Sequence, residues 1–343
     1  MKITYYVHDL SFPLVEGVRK QAWWMALEMK KRGHPVEIVT TSSKKGMEIR
    51  EGIPIRYGNP LSISSVNTGV MHYISHPSPL ILPLLIRTKA RTRIMTFFDG
   101  GLNGFWKRSW YSFLSKVILR KIDIITLQTN YQQRLMTNTK LRQIPRKIIP
   151  PLFPKYIKRK LLKPNQNNFN LLFMSHLSQS KGILDVLRSF EIVRARIKGI
   201  QLILCDSGIR KNSKIRTLIQ KLNRDDILIK GKVNPEEELA KATVYLYPVR
   251  EAQETFSVPL SLIEASQMGT PYLSTTVGGI PEYFPKKALV PPSHPALLAE
   301  KIISVIKSNP NQNRRVFETK YSHPERNNQK VIEQFIKIYE GKA

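Results

Sequence analysis

The fold is decided by the stretch Leu172–Leu187, LFMSHLSQSKGILDVL, in which an apolar run leads through a short polar turn into apolar residues at helical spacing. This pattern is typical of a parallel strand followed by a helix. Such a helix points unpaired N–H groups and the positive end of its dipole at the sheet edge, where anions bind. Lys181 adds a charge suited to phosphate, Gly182 permits close backbone approach, and His176 can donate a hydrogen bond. A solvated lysine and a structural histidine are the plainer interpretation.

The same alternation of strands and helices extends over the whole chain. Strands are predicted at 2–10, 35–41, 70–75, 93–98 and 122–128, with helices at 18–33, 78–90 and 104–121 between them. Residues 150–168 interrupt the alternation with four prolines, a basic run and amides, which indicates a linker. A second series follows, starting with a helix predicted from a Ser180 cap to a stop at Gly199.

The predicted fold class is therefore α/β, with two Rossmann-like doubly wound domains facing across a cleft. The first domain is predicted at 1–152 and is joined by a C-terminal helix at 326–343. A linker at 153–168 precedes the second domain at 169–325, and a ligand is expected at the carboxyl ends of the strands.

Composition and charge restrict the possible partners. The 343 residues include 55 Lys and Arg against 25 Asp and Glu, a net charge of +30, and no acid lies between Asp123 and Asp185. Such a field attracts anionic lipid, phosphate or nucleic acid, although a generally basic surface gives the same count. The single Cys205 excludes a disulfide framework and fits a reducing cytosol. The densest apolar run, Leu80–Ile86, is too short to span a membrane, so we expect a cytoplasmic protein without a cleavable signal peptide, soluble or peripheral on the inner membrane face.

A second stretch, REAQETFSVPLSLIEASQMGTP at 250–271, combines a loop acid with a helix start and a helix acid. Glu254 lies in the loop, and Glu264 lies inside the helix beside apolar residues that leave it no clean solvent face. The amides of Phe256, Ser257 and Val258 are placed to hold phosphate, and an inward carboxylate can accept the paired hydroxyls of a ribose. A third stretch, TTVGGIPEYF, places Gly278 and Gly279 in a turn where backbone can approach a ligand.

Taken in order, the segments SHLSQSKG, IKGKV, YPV, ETFSVPLSLIEASQMGTP and VGGIPEYF resemble the nucleotide-sugar half of the GT-B-fold retaining glycosyltransferases of family 4, the glycosyl transferases group 1. The front half fits as well, with a glycine loop at Glu16-Gly17 and the segments KKRGHPVEIVT, HYISHPSP, IDIITLQT and KIIPPL. The resemblance therefore covers nearly the whole chain.

This resemblance implies metal-independent transfer of a sugar from a nucleotide diphosphate sugar of UDP or GDP type, without a cofactor. It implies that Lys181 binds the diphosphate, Glu264 the ribose hydroxyls, and Glu254 the hydroxyls of the donor sugar. On the acceptor side it directs attention to Glu16, Gly17, His76 and Asp99.

Three departures from the family pattern affect these assignments. Ser175-His176 stands where the family usually has a glycine and an arginine, which makes His176 a pH-sensitive replacement. Nine residues separate Glu254 from Glu264 where the family has seven, so Glu251 or no acid is the alternative. Phe98 precedes Asp99 where a histidine is common, which leaves His76 and His8 as the remaining front-domain candidates for that histidine's role.

The acceptor and the competing functions stay open. The segment 104–121 mixes aromatic residues with cations at helical spacing, which fits either a helix on an anionic membrane or a core helix. It favours a lipid-linked or membrane-associated glycan acceptor. A DNA-modifying protein and a non-catalytic nucleotide or glycan binder are the alternatives. No helix-turn-helix, zinc spacing or RNA-binding signature supports nucleic acid, and neither an Asp-x-Asp pair after a strand nor Gly-x-Gly-x-x-Gly after the first strand supports a metal-dependent transferase or a dehydrogenase.

Overall fold

The computed structural model describes residues 1–14, 16–42, 44–59, 63, 65–75, 78, 81–98, 113, 116–137, 144–154, 168–206, 214–221, 224–308, 317 and 324–342. The chain divides into two compact units. The first comprises Met1–Phe153, Phe256–Val258 and Pro324–Ala343, and the second comprises Pro154–Thr255 and Pro259–His323.

In its described part, the first unit contains one sheet of eight strands in the order β3-β4-β2-β1-β5-β6-β7-β8. The strands are β1 (Ile3–His8), β2 (Val36–Thr41), β3 (Gly46–Arg50), β4 (Ile53–Gly58), β5 (Val66–Ile74), β6 (Thr88–Thr96), β7 (Ile124–Leu127) and β8 (Arg146–Ile148). Every pairing is parallel except that of β3 with β4, which is an antiparallel hairpin at the sheet edge. Since the chain runs outward from β1 on both sides, β1 and β5 form the switch point of this sheet.

Four helices with described bounds accompany this sheet, in addition to helical residues at 116–119. They are α1 (Gly17–Lys31), α2 (Leu82–Arg87), α3 (Asn130–Thr137) and, at the end of the chain, α10 (Pro324–Tyr339). α1 packs on β1 and α10 through a buried stripe that includes Ala22, Met25 and Met29. The spacing of these residues by three or four positions is what places them on one helix face.

The core against α10 contains a polar cluster centred on His72, which is fully buried on β5. One ring nitrogen of His72 lies 2.7 Å from the Tyr339 hydroxyl, and the other lies 2.6 Å from the Thr96 hydroxyl. Tyr5 extends the cluster through its hydroxyl, 3.1 Å from that of Tyr339. Burial lowers the pKa of His72 to about 3, so the imidazole is neutral and both its nitrogens have partners.

In its described part, the second unit contains a six-stranded sheet in the order β11-β10-β9-β12-β13-β14, and all its pairings are parallel. The strands are β9 (Phe169–Met174), β10 (Ile200–Cys205), β11 (Ile227–Lys230), β12 (Val244–Tyr247), β13 (Tyr272–Thr275) and β14 (Leu289–Val290). Counted from β9, this is the 3-2-1-4-5-6 order of a doubly wound Rossmann sheet. The predicted α/β class with two Rossmann-like sheets is confirmed.

The described helices of the second unit are α4 (Ile183–Arg194), α5 (Lys214–Lys221), α6 (Pro235–Lys241), α7 (Leu260–Met268), α8 (Ile280–Tyr283) and α9 (Pro295–Lys307). The side chain of Asn234 caps α6 by accepting a hydrogen bond from the Glu236 amide, with Pro235 in the first turn. Gly269 ends α7 in the left-handed conformation, φ 78°.

Two local predictions were wrong, and one element was missed. The helix predicted at 78–90 is only α2, because the alternating segment from Thr88 onward joins the sheet as β6. The hairpin of β3 and β4 was missed. Ser180 does not cap α4: Gly182 occupies the N-cap position, and the Ser180 hydroxyl lies 3.1 Å from that of Ser178.

Candidate functional site

The switch point of the second sheet lies between β9 and β12, and the segments that follow these two strands meet there. The turn after β9 runs from Ser175 to Gly182 and leads into α4. The loop after β12 runs from Pro248 to Thr255 and ends in a 3₁₀ turn, Ala252–Glu254. The amide of Arg250 donates a 2.8 Å hydrogen bond to the carbonyl of Ser180, so the two segments are joined directly through the backbone.

Gly182 is fixed by two separate constraints. Its φ of 82° is left-handed, which disfavours any residue with a Cβ. An ideal Cβ at this position would also lie 1.9 Å from the carbonyl oxygen of Pro248. The sequence predicted close approach of Gly182 to a ligand, whereas the close approach in the structure is to the loop after β12.

Lys181 is half-buried beside this contact. Its ammonium nitrogen lies 6.0 Å from the ring centroid of Tyr247, at the outer limit of a cation–π contact. Its amide donates a 3.2 Å hydrogen bond to the Ser178 carbonyl, and this bond closes the turn. His176 lies half-buried in the same turn, where its carbonyl accepts a 2.8 Å hydrogen bond from the Ser178 amide. The structure thus brings Lys181, Gly182 and His176 together in one turn.

A buried ion pair between Asp185 and Arg250 was not predicted from the sequence. The Arg250 guanidinium donates two hydrogen bonds, 2.7 and 2.6 Å long, to the two carboxylate oxygens of Asp185 in the first turn of α4. The Asp185 side chain is 2% exposed and that of Arg250 is 16% exposed. Sixty-five residues separate the partners, and only the topology of the sheet reveals their pairing.

The end of β12 is held in place from β13 as well. The hydroxyl of Ser274 donates to the carbonyl of Tyr247 at 2.8 Å, and that of Thr275 donates to the carbonyl of Val249 at 2.6 Å. The Tyr247 hydroxyl lies 2.8 Å from that of Thr255 at the far end of the loop. These hydrogen bonds fix both ends of the loop after β12.

Glu264 is the fifth residue of α7 and is 3% exposed. Tyr245 on β12 donates its hydroxyl to Ser261, one turn earlier in the same helix, at 2.9 Å. Burial raises the pKa of Tyr245, and the nearby Glu264 carboxylate raises it further. Glu264 is therefore a buried acid on the side of α7 that faces the sheet.

The remaining predicted residues of the second unit are placed as follows. The structure describes only the backbone of Glu254, which ends the 3₁₀ turn, while Glu251 before it is exposed. Gly278 adopts a left-handed φ of 61°, and Gly279 occupies the N-cap position of the four-residue helix α8. Both glycines follow β13, next to β12 in the sheet.

Phe256, Ser257 and Val258 are grouped with the first unit. The rings of Phe256 and Phe98 lie 6.1 Å apart, and the Ser257 amide donates to the Phe98 carbonyl at 2.9 Å. That amide is engaged by protein in this structure, and Val258 is fully buried.

In the first unit, His8 ends β1 at the switch point, and its Nδ1 lies 2.6 Å from the Thr41 hydroxyl at the end of β2. Exposed Glu16 precedes Gly17, the first residue of α1. Arg19 lies 2.7 Å from Asp9 and 3.5 Å from Glu16, an ion-pair cluster that the sequence did not reveal. The predicted residues His76 and Asp99, and most of the segment 104–121, lie outside the described residues.

Three further observations concern ligands and membranes. An open pocket of about 420 Å³ in the first unit is lined by Met1, His34, Gly69, Arg91, Glu340 and Lys342, none of which is a predicted site residue. Among the residues that the structure describes, no group of three or more His, Cys, Asp or Glu side chains is arranged to hold a metal ion. No helix in the same part of the chain has the length and hydropathy needed to cross a bilayer.

Comparison with known proteins agrees with this architecture. Residues 168–308 match the family described as Glycosyl transferases group 1. None of the curated proteins compared with the chain matches it.

Solved structures match over almost the whole length. Sucrose-phosphate synthase from Thermosynechococcus elongatus is 16% identical with a TM-score of 0.75, over 99% of this chain and 98% of that one. A TarM variant from S. aureus in complex with fondaparinux, α-GlcNAc-glycerol and UDP is 12% identical with a TM-score of 0.73, over 98% and 99%. A UDP-forming α,α-trehalose-phosphate synthase from Burkholderia xenovorans in complex with glucose-6-phosphate is 12% identical with a TM-score of 0.69, over 99% and 100%.

At sequence identities of 12–16%, the structural matches show the fold alone. The chain has the GT-B fold of two Rossmann-like domains, and its residues 168–308 are similar to the Glycosyl transferases group 1 family.

Proposed function

We propose that the protein is a retaining glycosyltransferase of family 4 that transfers a sugar from a nucleotide diphosphate sugar to an acceptor, without a metal ion. The observation that carries the proposal is the turn Ser178–Gly182, which places Lys181 at the switch point of a 3-2-1-4-5-6 sheet. This turn lies within the segment that matches Glycosyl transferases group 1. TarM and the trehalose-phosphate synthase are described with UDP, so a uridine donor is the first to test.

In the proposed reaction the bond between the anomeric carbon and the diphosphate oxygen breaks, and the acceptor oxygen forms a new bond to the same carbon. The acceptor proton passes to the departing diphosphate, which serves as the base, so no separate protein base is needed. Negative charge grows on the diphosphate in the transition state. Fixed positive groups at that position lower the barrier because they need no reorganisation during the reaction.

Each predicted residue takes one part in this scheme. Lys181 and His176 stabilise the diphosphate, and Glu264 accepts the ribose hydroxyls. Glu254 contacts the donor sugar, with Glu251 as the alternative. Backbone amides before α7 and in the Gly278-Gly279 turn complete the donor site, and for Ser257 this requires the exchange of its hydrogen bond to Phe98.

For the acceptor we propose a lipid-linked or membrane-associated glycan, reached from the cytoplasmic side by a protein bound to an anionic membrane. The support is the net charge of +30 and the position of the exposed apolar residues. Among the large apolar side chains that the structure describes, the four most exposed are Met47, Ile49, Ile86 and Phe113, at 66–67%, and all lie in the first unit. Vesicles containing phosphatidylglycerol should bind the protein at low salt and release it at high salt, whereas phosphatidylcholine vesicles should not bind it.

Calorimetric titration with UDP, GDP, ADP and CMP, first without metal and then with magnesium, tests the donor site. We expect one diphosphate to bind without metal and Lys181→Ala to abolish that binding while the thermal unfolding temperature is unchanged. Full binding by Lys181→Ala would refute the phosphate assignment. Binding by none of the four would refute the donor site, and binding without hydrolysis or transfer of the matching nucleotide sugar would identify a non-catalytic binder.

A further inference from the structure

We propose that Asp185 and Arg250 are positioning residues that hold the loop after β12 in register with the turn that carries Lys181. Neither residue needs to touch the ligand. The effect on nucleotide binding rests on the proposed function, whereas the effect on the local geometry does not.

Arg250 is joined to the neighbouring segment by its backbone and by its side chain. Its amide donates to the Ser180 carbonyl at 2.8 Å, which fixes the loop against the turn one residue before Lys181. Its guanidinium donates to both oxygens of Asp185, three residues after Gly182. The two attachments lie on either side of Lys181 and Gly182, so a shift of the loop must disturb the turn.

The contact between Gly182 and Pro248 leaves little freedom for such a shift. Pro248 lies two residues before Arg250, and its carbonyl oxygen occupies the space beside Gly182. The hydrogen bonds from Ser274 and Thr275 fix the carbonyls of Tyr247 and Val249 on the opposite side of the loop. The loop is thereby held from β13 on one side and from α4 on the other.

A bidentate ion pair suits this role because it defines both distance and orientation. Two parallel hydrogen bonds between a guanidinium and a carboxylate allow far less rotation than an apolar contact of the same area. A buried ion pair adds little net stability compared with well-packed apolar residues, because both charges lose their hydration. Its contribution to geometry is thus separable from its contribution to stability.

The chain offers a second arginine–carboxylate cluster as a control. At the other end of α4, Arg224 pairs with Glu191 and donates two hydrogen bonds, 2.8 and 2.6 Å long, to Asp226. The Arg224 side chain is 20% exposed, close to the 16% of Arg250. Arg224→Leu therefore removes a second bidentate ion pair away from the switch point, although its acids, Asp226 at 33% and Glu191 at 54%, are more exposed than Asp185 at 2%.

The first test measures the affinity of the nucleotide diphosphate found by calorimetry in Arg250→Leu and Arg224→Leu. We expect Arg250→Leu to weaken binding by about tenfold or more and Arg224→Leu by less than about twofold. Equal affinity of Arg250→Leu and the unchanged protein, or an equal loss in both variants, would overturn the proposal.

The second test uses the double variant Asp185→Leu/Arg250→Met, in which apolar side chains replace both charges. We expect its midpoint of urea unfolding to recover towards that of the unchanged protein, since no buried charge is left unpaired. The affinity should stay as low as in Arg250→Leu, because the orientation is still lost. Recovery of affinity together with stability would show a merely structural pair.

Hydrogen exchange decides the question without any ligand. The amides of Lys181 and Gly182 donate to the carbonyls of Ser178 and Gln179, so their exchange rates report on the turn. They should exchange faster in Arg250→Leu and in the double variant but not in Arg224→Leu. If no nucleotide binds the unchanged protein, the proposed function fails, and these rates alone support or overturn the positioning role.

Discussion

The carbonyl oxygen of Pro248 lies 1.9 Å from the place that a Cβ at Gly182 would occupy. The loop after β12 therefore packs against bare backbone at the start of α4. Because the same glycine has a φ of 82°, two independent penalties act on any substitution there.

Replacement of Gly182 by alanine should separate these penalties. We expect Gly182→Ala to lower the free energy of unfolding by about 2–4 kcal/mol, the sum of a left-handed alanine and a displaced Pro248. Gly33→Ala is the control, because Gly33 has a φ of 79° but no atom within 4 Å of its Cβ position. It should lose only about 1 kcal/mol. Urea unfolding of both variants measures the difference, and equal losses would mean that the Pro248 contact has no cost.

Glu264→Gln should alter the recognition of the ribose but not that of the phosphates. If the buried carboxylate accepts the ribose hydroxyls, the unchanged protein binds UDP more tightly than 2′-deoxy-UDP. Glu264→Gln should reduce that preference by about tenfold, since a hydrogen bond to a charged acceptor contributes roughly 1.5–3 kcal/mol. Calorimetry with both ligands measures the ratio.

Lys181→Ala is the counterpart of that experiment. The diphosphate is common to both ligands, so the loss of Lys181 should weaken UDP and 2′-deoxy-UDP by the same factor. A preference for UDP that persists in Glu264→Gln would remove Glu264 from the ribose site.

The buried His72 should make stability depend on pH. The pKa of His72 falls from 6.5 to about 3 because burial disfavours the charged ring, so below pH 6.5 the unfolded chain binds a proton that the folded protein does not. Its contribution to stability is fully present above pH 6.5 and is lost as the pH falls towards 3. The slope approaches about 1.4 kcal/mol per pH unit for one proton.

His72→Gln keeps hydrogen-bonding groups at this position without the titration. Urea unfolding of both proteins between pH 7 and pH 4.5 should show a shallower loss of stability for the variant, even though it is less stable at pH 7. Parallel pH profiles would mean that His72 is accessible to protons in the folded state.

Removal of the Tyr339 hydroxyl and removal of the Tyr5 hydroxyl should have non-additive effects on the free energy of unfolding, because the two hydroxyls contact each other. Tyr339→Phe leaves buried polar atoms of His72 and Tyr5 unpaired, which should cost about 1–3 kcal/mol. In the double variant with Tyr5→Phe one of those unpaired atoms is absent, so the combined loss should be smaller than the sum. Tyr6→Phe is the control, because alternation along β1 directs Tyr6 to the opposite face, where its hydroxyl contacts Thr41. The loss of stability in Tyr6→Phe should add to that in Tyr339→Phe. If the losses in Tyr5→Phe and Tyr339→Phe were also additive, the coupling between those two hydroxyls would be contradicted.

The sequence predicted the architecture well because both sheets depend on local periodicity. Apolar strands alternate with helices, and the Asn234 cap and the Gly269 stop are short-range signals. The edge hairpin β3–β4 was missed because three of the five residues in GMEIR are polar or glycine. The segment from Thr88 was misassigned because its half-polar sequence continues an apolar helix without a turn between them.

The sequence predicted the candidate site only within single turns, and it did not predict which distant residues those turns contact. Lys181, Gly182 and Glu264 stand in recognisable local contexts, but the partner of Gly182 is Pro248 and that of Asp185 is Arg250, each more than 60 residues away. A single sequence does not encode such pairings in its periodicity. In the sequence, Asp185 is an ordinary acid in the first turn of a helix, where its favourable interaction with the helix dipole is enough to explain its presence.

The return of the C-terminal helix to the first unit affects how the chain is made. Phe153 and Asn328 are joined by two hydrogen bonds of 2.8 Å, although 175 residues separate them. During synthesis the first unit thus lacks α10, and with it the Tyr339 partner of His72, until the chain has been made beyond residue 339. The residues of the second unit, Pro154–Thr255 and Pro259–His323, are all made before α10. We therefore expect the first unit to complete its packing only after the second unit has been made, because the part of its core that α10 covers stays open until then.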